Sequence, residues 1–355
     1  MTYKVVQWAT GSVGADSLRL LLDRPDVEVV GVFAYSDDKN GVDAGELVGR
    51  APIGVKATTN RDEILALDAD VVLHNALLTP TGWPEMDADV LALLRAGKNV
   101  ISTASYFFPS AHGDAYLQQF EEAAKDGGVT LFGTGINPGL ILDRLPATIS
   151  TLCSDIKRID ITENSNVASH PSAAMVFEQM GMGQDPDTFT KDAAIGDMFQ
   201  RMFGEVVYLL GDYLGVKIEG LDVELKLGLA TRDLDISAGH VKKGTIAGTR
   251  WTLNGLVDGE PFIAMHEGWH VDNDLPDWEK RRVWSAKIEG TPSWLMELTV
   301  ARTWTDESVP FYNALLHSTA AVAVQAIDDV VDAPPGVLKP PVFDAWVHPN
   351  ARPRG

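Results

Sequence analysis

Chemistry in this chain would come from side chains at a few telling spacings, and HEGWH, from His266 to His270, is the most conspicuous. It is a literal H-E-x-x-H. On a helix the two histidines would share a face about 6 Å apart and could hold one zinc, with the glutamate activating water. On a strand they also share a face, but stand ~13 Å apart, too far for a single ion. The run from Pro261 to Asp272 alternates in polarity and carries Gly268 in its middle, a poor helix interior. It therefore reads as a strand with no metal site, its residues facing solvent or a cleft.

A second stretch, VVQWATGSVGADSL at 5–18, follows an apolar run and opens a leucine-spaced helical one. Its pattern is Ala9-x-Gly11-x-x-Gly14, with alanine where a dinucleotide fingerprint usually has its first glycine. Gly11 would let the backbone approach a pyrophosphate, and Gly14 would allow close helix–strand packing. Thr10, Gly11, Ser12 and Val13 would offer N–H donors at the positive end of the helix. The alternative is a plain strand–helix turn. Past the second strand, AYSDDK (34–39) would meet the adenosine ribose. Ser36 and Lys39 suit the 2′-phosphate of NADP(H), whereas Asp37 and Asp38 oppose it. A carboxylate ~4 Å from that phosphate would cost about 4 kcal/mol at an effective dielectric of ~20, and little if turned into water. NADP(H) is the preferred cofactor on this reading and NAD(H) remains open. Asn75, Ala76 and Thr103 fall at the ends of later apolar runs, where parallel strands border a cofactor crevice. In GTGINPGLILD (133–143), Asn137 and Pro138 shape a loop that is either turn chemistry alone or the floor beneath a nicotinamide.

These residues need elements to hold them. Apolar runs at 3–9, 27–34, 70–76, 99–103 and 129–133 alternate with helical patterns, which predicts an α/β fold with a doubly wound parallel sheet of Rossmann type. After residue 150 the rhythm changes. A strand is expected at 155–164 and interrupted helix at 172–213. Long alternating runs from 216 to 303 indicate a largely antiparallel sheet in an α+β domain. The expected domains are 1–140 for the dinucleotide and 141–310 for substrate binding and dimerisation. A helix and tail at 311–355 should pack back on the first domain.

At 355 residues the chain has room for about two domains, with 45% apolar and 22% charged residues. Its 29 basic and 50 acidic residues give a net charge of −21, which argues against nucleic-acid or anionic-membrane partners. Neither a signal peptide nor a charge-free apolar span is evident. Cys153 is the only cysteine, and a cytoplasmic location is expected.

Taken with YSDDKNGVDAGEL (35–47), GKNVIST (97–103), GMGQDPD (181–187), GTIAGTRWTLNGLVDGEPF (244–262), WSAKIEGTPS (284–293) and STAAVAVQAIDDVVDAPPG (318–336), the chain resembles the 2,4-diaminopentanoate dehydrogenase and native amine dehydrogenase family, relatives of dihydrodipicolinate reductase. The resemblance spans nearly the whole chain. It implies an NAD(P)-dependent oxidoreductase, usually homodimeric, that exchanges hydride with the carbon of an amine/imine pair. There is one departure. The family's catalytic glutamate is expected just after NVIST, yet no carboxylate occurs from Ile101 to Ala111. Tyr106 would then be the nearest titratable group and a candidate proton donor, or else a wall residue packed with Phe107 and Phe108. Glu163, as a second candidate acid, and Asn164 could point into the cleft, with His170 and His266 lining it. Met180 and Trp269 would form an apolar floor. The resulting reading is reduction of a small, largely apolar carbonyl or imine. Its rivals are a true amine dehydrogenase and a nucleotide-binding sensor without turnover.

Overall fold

The computed structural model describes residues 2–79, 81–279, 283–300 and 314–351. In chain order these form β1 (Tyr3–Trp8), α1 (Ser12–Asp23), β2 (Val27–Phe33), α2 (Ala44–Leu47), β3 (Ala57–Thr58), α3 (Arg61–Leu65), β4 (Val71–His74), α4 (Trp83–Arg95), β5 (Asn99–Ser102), α5 (Asp114–Gly127) and β6 (Thr130–Gly133). There follow α6 (Leu145–Ile149), β7 (Asp155–Asn166), α7 (Ala194–Tyr213), β8 (Leu221–Leu229), β9 (Leu234–Ile236), β10 (Gly239–Val241), β11 (Ile246–Val257), β12 (Glu260–His270), β13 (Val283–Thr291), β14 (Trp294–Leu298), α8 (Ala314–Gln325), α9 (Ile327–Val331) and β15 (Gly336–Val337). Two compact units result, Met1–Leu140 with Arg302–Pro340, and Ile141–Ala301 with Pro341–Gly355.

The first unit is built on a parallel sheet in the order β15-β6-β5-β4-β1-β2-β3. Its inner strands β4, β5 and β6 are buried along their whole length, the condition that near-continuous apolar runs satisfy. Reading outward from β1, the order reverses between β1 and β4, and such a switch point opens a crevice at the carboxyl ends of the strands. Helix α1 buries Leu18 and Leu21 in a core shared with Val5, Val29, Val71 and Ile101. The chain's later residues complete this core through Ala323, Val324, Ile327 and Val330. The run Ala314–Val331 is long and apolar enough to cross a membrane by length and composition. Here it lies against α1, and Asp328 near its end pairs with Arg24 at 3.1 Å. The tail, expected to return as one piece, divides near residue 340. Trp346 instead donates its backbone N–H to Ser150 Oγ (2.9 Å) and its indole N–H to the Ser154 carbonyl (3.3 Å), both in the second unit.

The second unit carries a six-stranded sheet in the order β14-β13-β7-β12-β11-β8. Only β7 and β12 run parallel, so the sheet is largely antiparallel, as the alternating runs predict. Successive strand residues point to opposite faces. One face is closed by α7, whose Phe199 stacks on Trp251 with ring centroids 4.4 Å apart. Glu163, Glu267, Trp269 and Trp251 stand on that face by register. HEGWH thus lies on strand β12, so His266 and His270 are spaced along an extended chain.

Candidate active site

In the first unit the turn from β1 to α1 has an unusual backbone. Ala9 adopts a left-handed conformation with φ of 71°. Such a conformation costs an L-residue about 1–2 kcal/mol and glycine almost nothing, which is the physical reason a fingerprint has glycine there. A Cβ on Gly14 would stand 2.2 Å from the Ala9 carbonyl oxygen, so only glycine lets the helix approach this closely. Gly11 is different. It is the extended N-cap residue of α1, and a Cβ there would meet nothing within 4 Å. The space in front of it is open. No side chain caps α1 and no acid lies in its first turn. The leading N–H groups, including those of Ser12 and Val13, and the positive end of the helix dipole are left for an anion.

Side chains from neighbouring strand ends brace this turn. Lys39 Nζ donates to the Thr10 carbonyl at 2.9 Å and to Thr10 Oγ1 at 3.1 Å. Ser36 donates to the Asp38 carboxylate, and Ser36, Asp37 and Asp38 are all exposed. Asn75 accepts from Gln7 Nε2 at 2.8 Å and donates to Thr103 Oγ1 at 2.9 Å, tying together the ends of β1, β4 and β5. Ala76 follows, half-buried. His74 Nδ1 lies 3.0 Å from Ser102 Oγ, and burial lowers its pKa to about 4, so the imidazole is neutral near pH 7. The candidate residues Thr10, Gly11, Ser12, Val13, Ser36, Lys39, Asn75, Ala76 and Thr103 are thereby gathered at the carboxyl edge of one sheet.

Tyr106 does not join them. Its ring is fully buried and meets Phe120 edge-on at 5.1 Å, while its hydroxyl donates to Asp87 Oδ1 at 2.8 Å. Tyr116 donates to the same oxygen at 2.8 Å. The expected proton donor is therefore a core residue packed against α4 and α5. A left-handed backbone at Tyr106 (φ 71°) accompanies this placement. The segment passes close over β6, since a Cβ on Gly133 would stand 2.2 Å from the Tyr106 carbonyl carbon. Beyond β6, the GINPG loop closes on itself, with the Leu140 N–H donating to the Gly135 carbonyl at 2.9 Å. Asn137 is half-buried and Pro138 buried within it.

In the second unit, the expectation that Glu163 and Asn164 could share a cleft is corrected by the strand itself, because adjacent residues take opposite faces. Glu163 stands on the helix-covered face, accepting from Trp284 Nε1 at 2.6 Å and Ser165 Oγ at 2.9 Å. Asn164 donates to the Glu279 carbonyl at 2.8 Å. His266 shares Asn164's face, with Nδ1 3.0 Å from Thr252 Oγ1 and Nε2 3.3 Å from Asp160 Oδ1. Burial works to raise the Asp160 pKa, but hydrogen bonds from His266 and Arg158 win and hold it at about 2. The Met180 backbone lies beside the strand pair that carries Trp269. Thr249 Oγ1 donates to the Met180 carbonyl at 3.1 Å, and Thr249 is the cross-strand partner of Trp269. His170 is buried, which lowers its pKa, and Nδ1 accepts from the Ser172 N–H at 3.2 Å.

Residues 140–347 match the model of the 2,4-diaminopentanoate dehydrogenase C-terminal domain, more than half of the chain. The chain belongs to this dehydrogenase family. It is 28% identical to an amine dehydrogenase of Streptomyces virginiae, covering 94% of this chain and 93% of that one. To the 2,4-diaminopentanoate dehydrogenase of Acetoanaerobium sticklandii it is 28% identical, over 76% of each chain. The solved structure of an amine dehydrogenase from Mycobacterium smegmatis shares the fold, with a TM-score of 0.78 at 20% identity, covering 100% of this chain and 98% of that one. As a member of this family, the chain is an oxidoreductase.

Several residues of this family member escape a sequence reading. Gln7 is a polar residue in a buried strand, and only its burial singles it out. Asp87, which receives both tyrosine hydroxyls, looks like any solvated acid at the start of a helix. Asp143, just past the GINPG loop, is buried, and burial pushes its pKa up to about 7 against the opposing pull of Arg144. No spacing in the sequence signals these three.

Proposed function

We propose that this protein binds a nicotinamide dinucleotide at the β1–α1 turn and uses it to reduce a small, largely apolar carbonyl or imine. The observation that carries this reading is the turn itself, with left-handed Ala9, open space before Gly11 and an uncapped α1. When bound, the cofactor supplies the hydride. Thr10, Gly11, Ser12 and Val13 hold its diphosphate, while Asn75, Ala76, Thr103, Asn137 and Pro138 border its nicotinamide side. Lys39 supports a preference for NADP(H), because its ammonium already lies on Thr10 and can turn to a 2′-phosphate. Asp38, engaged with Ser36, opposes that preference, so NADH is the cofactor to compare.

An apolar substrate suits the neighbourhood of Met180 and Trp269, where Phe199 and Phe203 pack on the Trp269 ring at 5.4 and 6.0 Å. With Tyr106 committed to the core, Glu163 is the group proposed to handle the proton. The protein is proposed to work in the cytoplasm as a homodimer, for which light scattering of the purified chain is the test. The experiment that decides function is NADPH and NADH consumption with a carbonyl panel, with and without ammonia. Turnover without ammonia supports a carbonyl reductase, and turnover requiring it supports amine chemistry.

A further inference from the structure

Gln7 lies next to the end of β1 with its side chain wholly buried. Its Nε2 donates to the Ala9 carbonyl at 2.8 Å and to Asn75 Oδ1 at 2.8 Å, with longer approaches to the Trp8 and Leu73 carbonyls. Two oxygens this close fix the orientation of the amide, because a reversed amide would set oxygen against oxygen. Gln7 Oε1 is left buried with no hydrogen-bond partner among the described residues. An orphaned acceptor lowers stability, so packing alone does not explain a glutamine here.

Its effect falls on residue 9. The Ala9 N–H donates to the Phe33 carbonyl at 3.0 Å, and its carbonyl receives Gln7. Both peptide groups of a residue in a disfavoured conformation are thereby clamped. Strained backbone persists where its surroundings over-determine it. The next carbonyl, that of Thr10, is held by Lys39. We propose that Gln7 is the positioning residue of the phosphate loop. By clamping Ala9 it lets an alanine take the left-handed place that glycine ordinarily fills, and so sets Thr10 and Gly11 to receive the dinucleotide diphosphate. This inference rests on the cofactor reading above.

The test is a double-mutant cycle read by fluorescence titration with NADPH and NADH, alongside apo-protein melting. Gln7→Leu keeps the side-chain bulk and removes the donor. It should weaken both nucleotides about tenfold, the effect of one hydrogen bond. Ala9→Gly takes the left-handed conformation unaided, so it should bind within about threefold of wild type. Adding Gln7→Leu to Ala9→Gly should then cost less than about threefold, a coupling that a merely structural glutamine would not show. Unchanged binding by Gln7→Leu, or an equal loss in both backgrounds, overturns the clamp. If Gln7→Leu does not fold, Ala9→Gly alone decides, since a lower melting temperature would show that residue 9 is unstrained. Wild-type protein that binds neither nucleotide sinks the cofactor reading, and the clamp with it. Wild-type binding that Gln7→Leu leaves intact sinks only the clamp.

Discussion

Replacing Tyr106 by phenylalanine separates a catalytic acid from a core residue, because the two roles predict opposite signatures. The substitution keeps the ring on Phe120 and deletes one hydroxyl, so no cavity larger than an oxygen atom forms. Lost with it is the 2.8 Å bond to Asp87 Oδ1. Hydrogen bonds to charged groups contribute about 1.5–3 kcal/mol. Tyr116 still donates to that oxygen, so Asp87 does not become an orphan and the lower end applies, about 1.5–2 kcal/mol. In a unit of this size, that should lower the melting temperature by roughly 2–8 °C. Turnover on the best substrate of the carbonyl panel should change by less than about threefold. An essential proton donor would instead lose ~10²-fold or more in kcat. Calorimetry and steady-state kinetics on the same preparation suffice. A hundredfold fall in kcat at an unchanged melting temperature would return Tyr106 to the reacting atoms and refute its placement in the core.

Gly11→Val should fold normally, because a Cβ there meets nothing within 4 Å, yet NADPH titration should show no binding; full affinity would remove the fingerprint assignment. Lys39→Ala should weaken NADPH by about 1–2 kcal/mol and spare NADH if the ammonium reaches the 2′-phosphate, whereas equal losses would leave it as a brace of Thr10. Glu163→Gln keeps the geometry beside Trp284 and should lower kcat ~10²-fold at unchanged cofactor affinity, and undiminished kcat would clear Glu163 of the proton step. Asp160 offers a pH test. Its folded pKa of about 2 lies below the ordinary 3.8, so its stabilisation is complete above that value and disappears as pH falls through about 2. Acid unfolding of Asp160→Asn should therefore flatten between about pH 4 and 2, and a curve parallel to wild type would show that the pairing of Asp160 with His266 and Arg158 contributes nothing.

What could be read from sequence and what could not follow from the range of the interactions involved. The sheet of the first unit was legible because apolar runs and helical spacing are local signals, and the strand–helix turn at Gly11 was legible as the first turn of that sheet. HEGWH was legible for the same reason, since an alternating run with a central glycine suits a strand and places its histidines along an extended chain. Tyr106 was not. Whether a tyrosine after a strand points into a crevice or into the core depends on a left-handed backbone and on Asp87, 19 residues away, and neither leaves a local pattern. Glu163 and Asn164 show an intermediate case. Period two dictates that they diverge, but it does not say which face α7 covers; only the contacts of Phe199 with Trp251 and Trp269 decide that. Ala9 joins the two kinds of information. In sequence it is a departure from a glycine pattern. In structure the glycine's conformation survives in an alanine, held by a glutamine two residues earlier and by β2. The backbone geometry outlasts the residue that ordinarily provides it, so a missing glycine weakens a fingerprint only where no neighbour is placed to hold the turn.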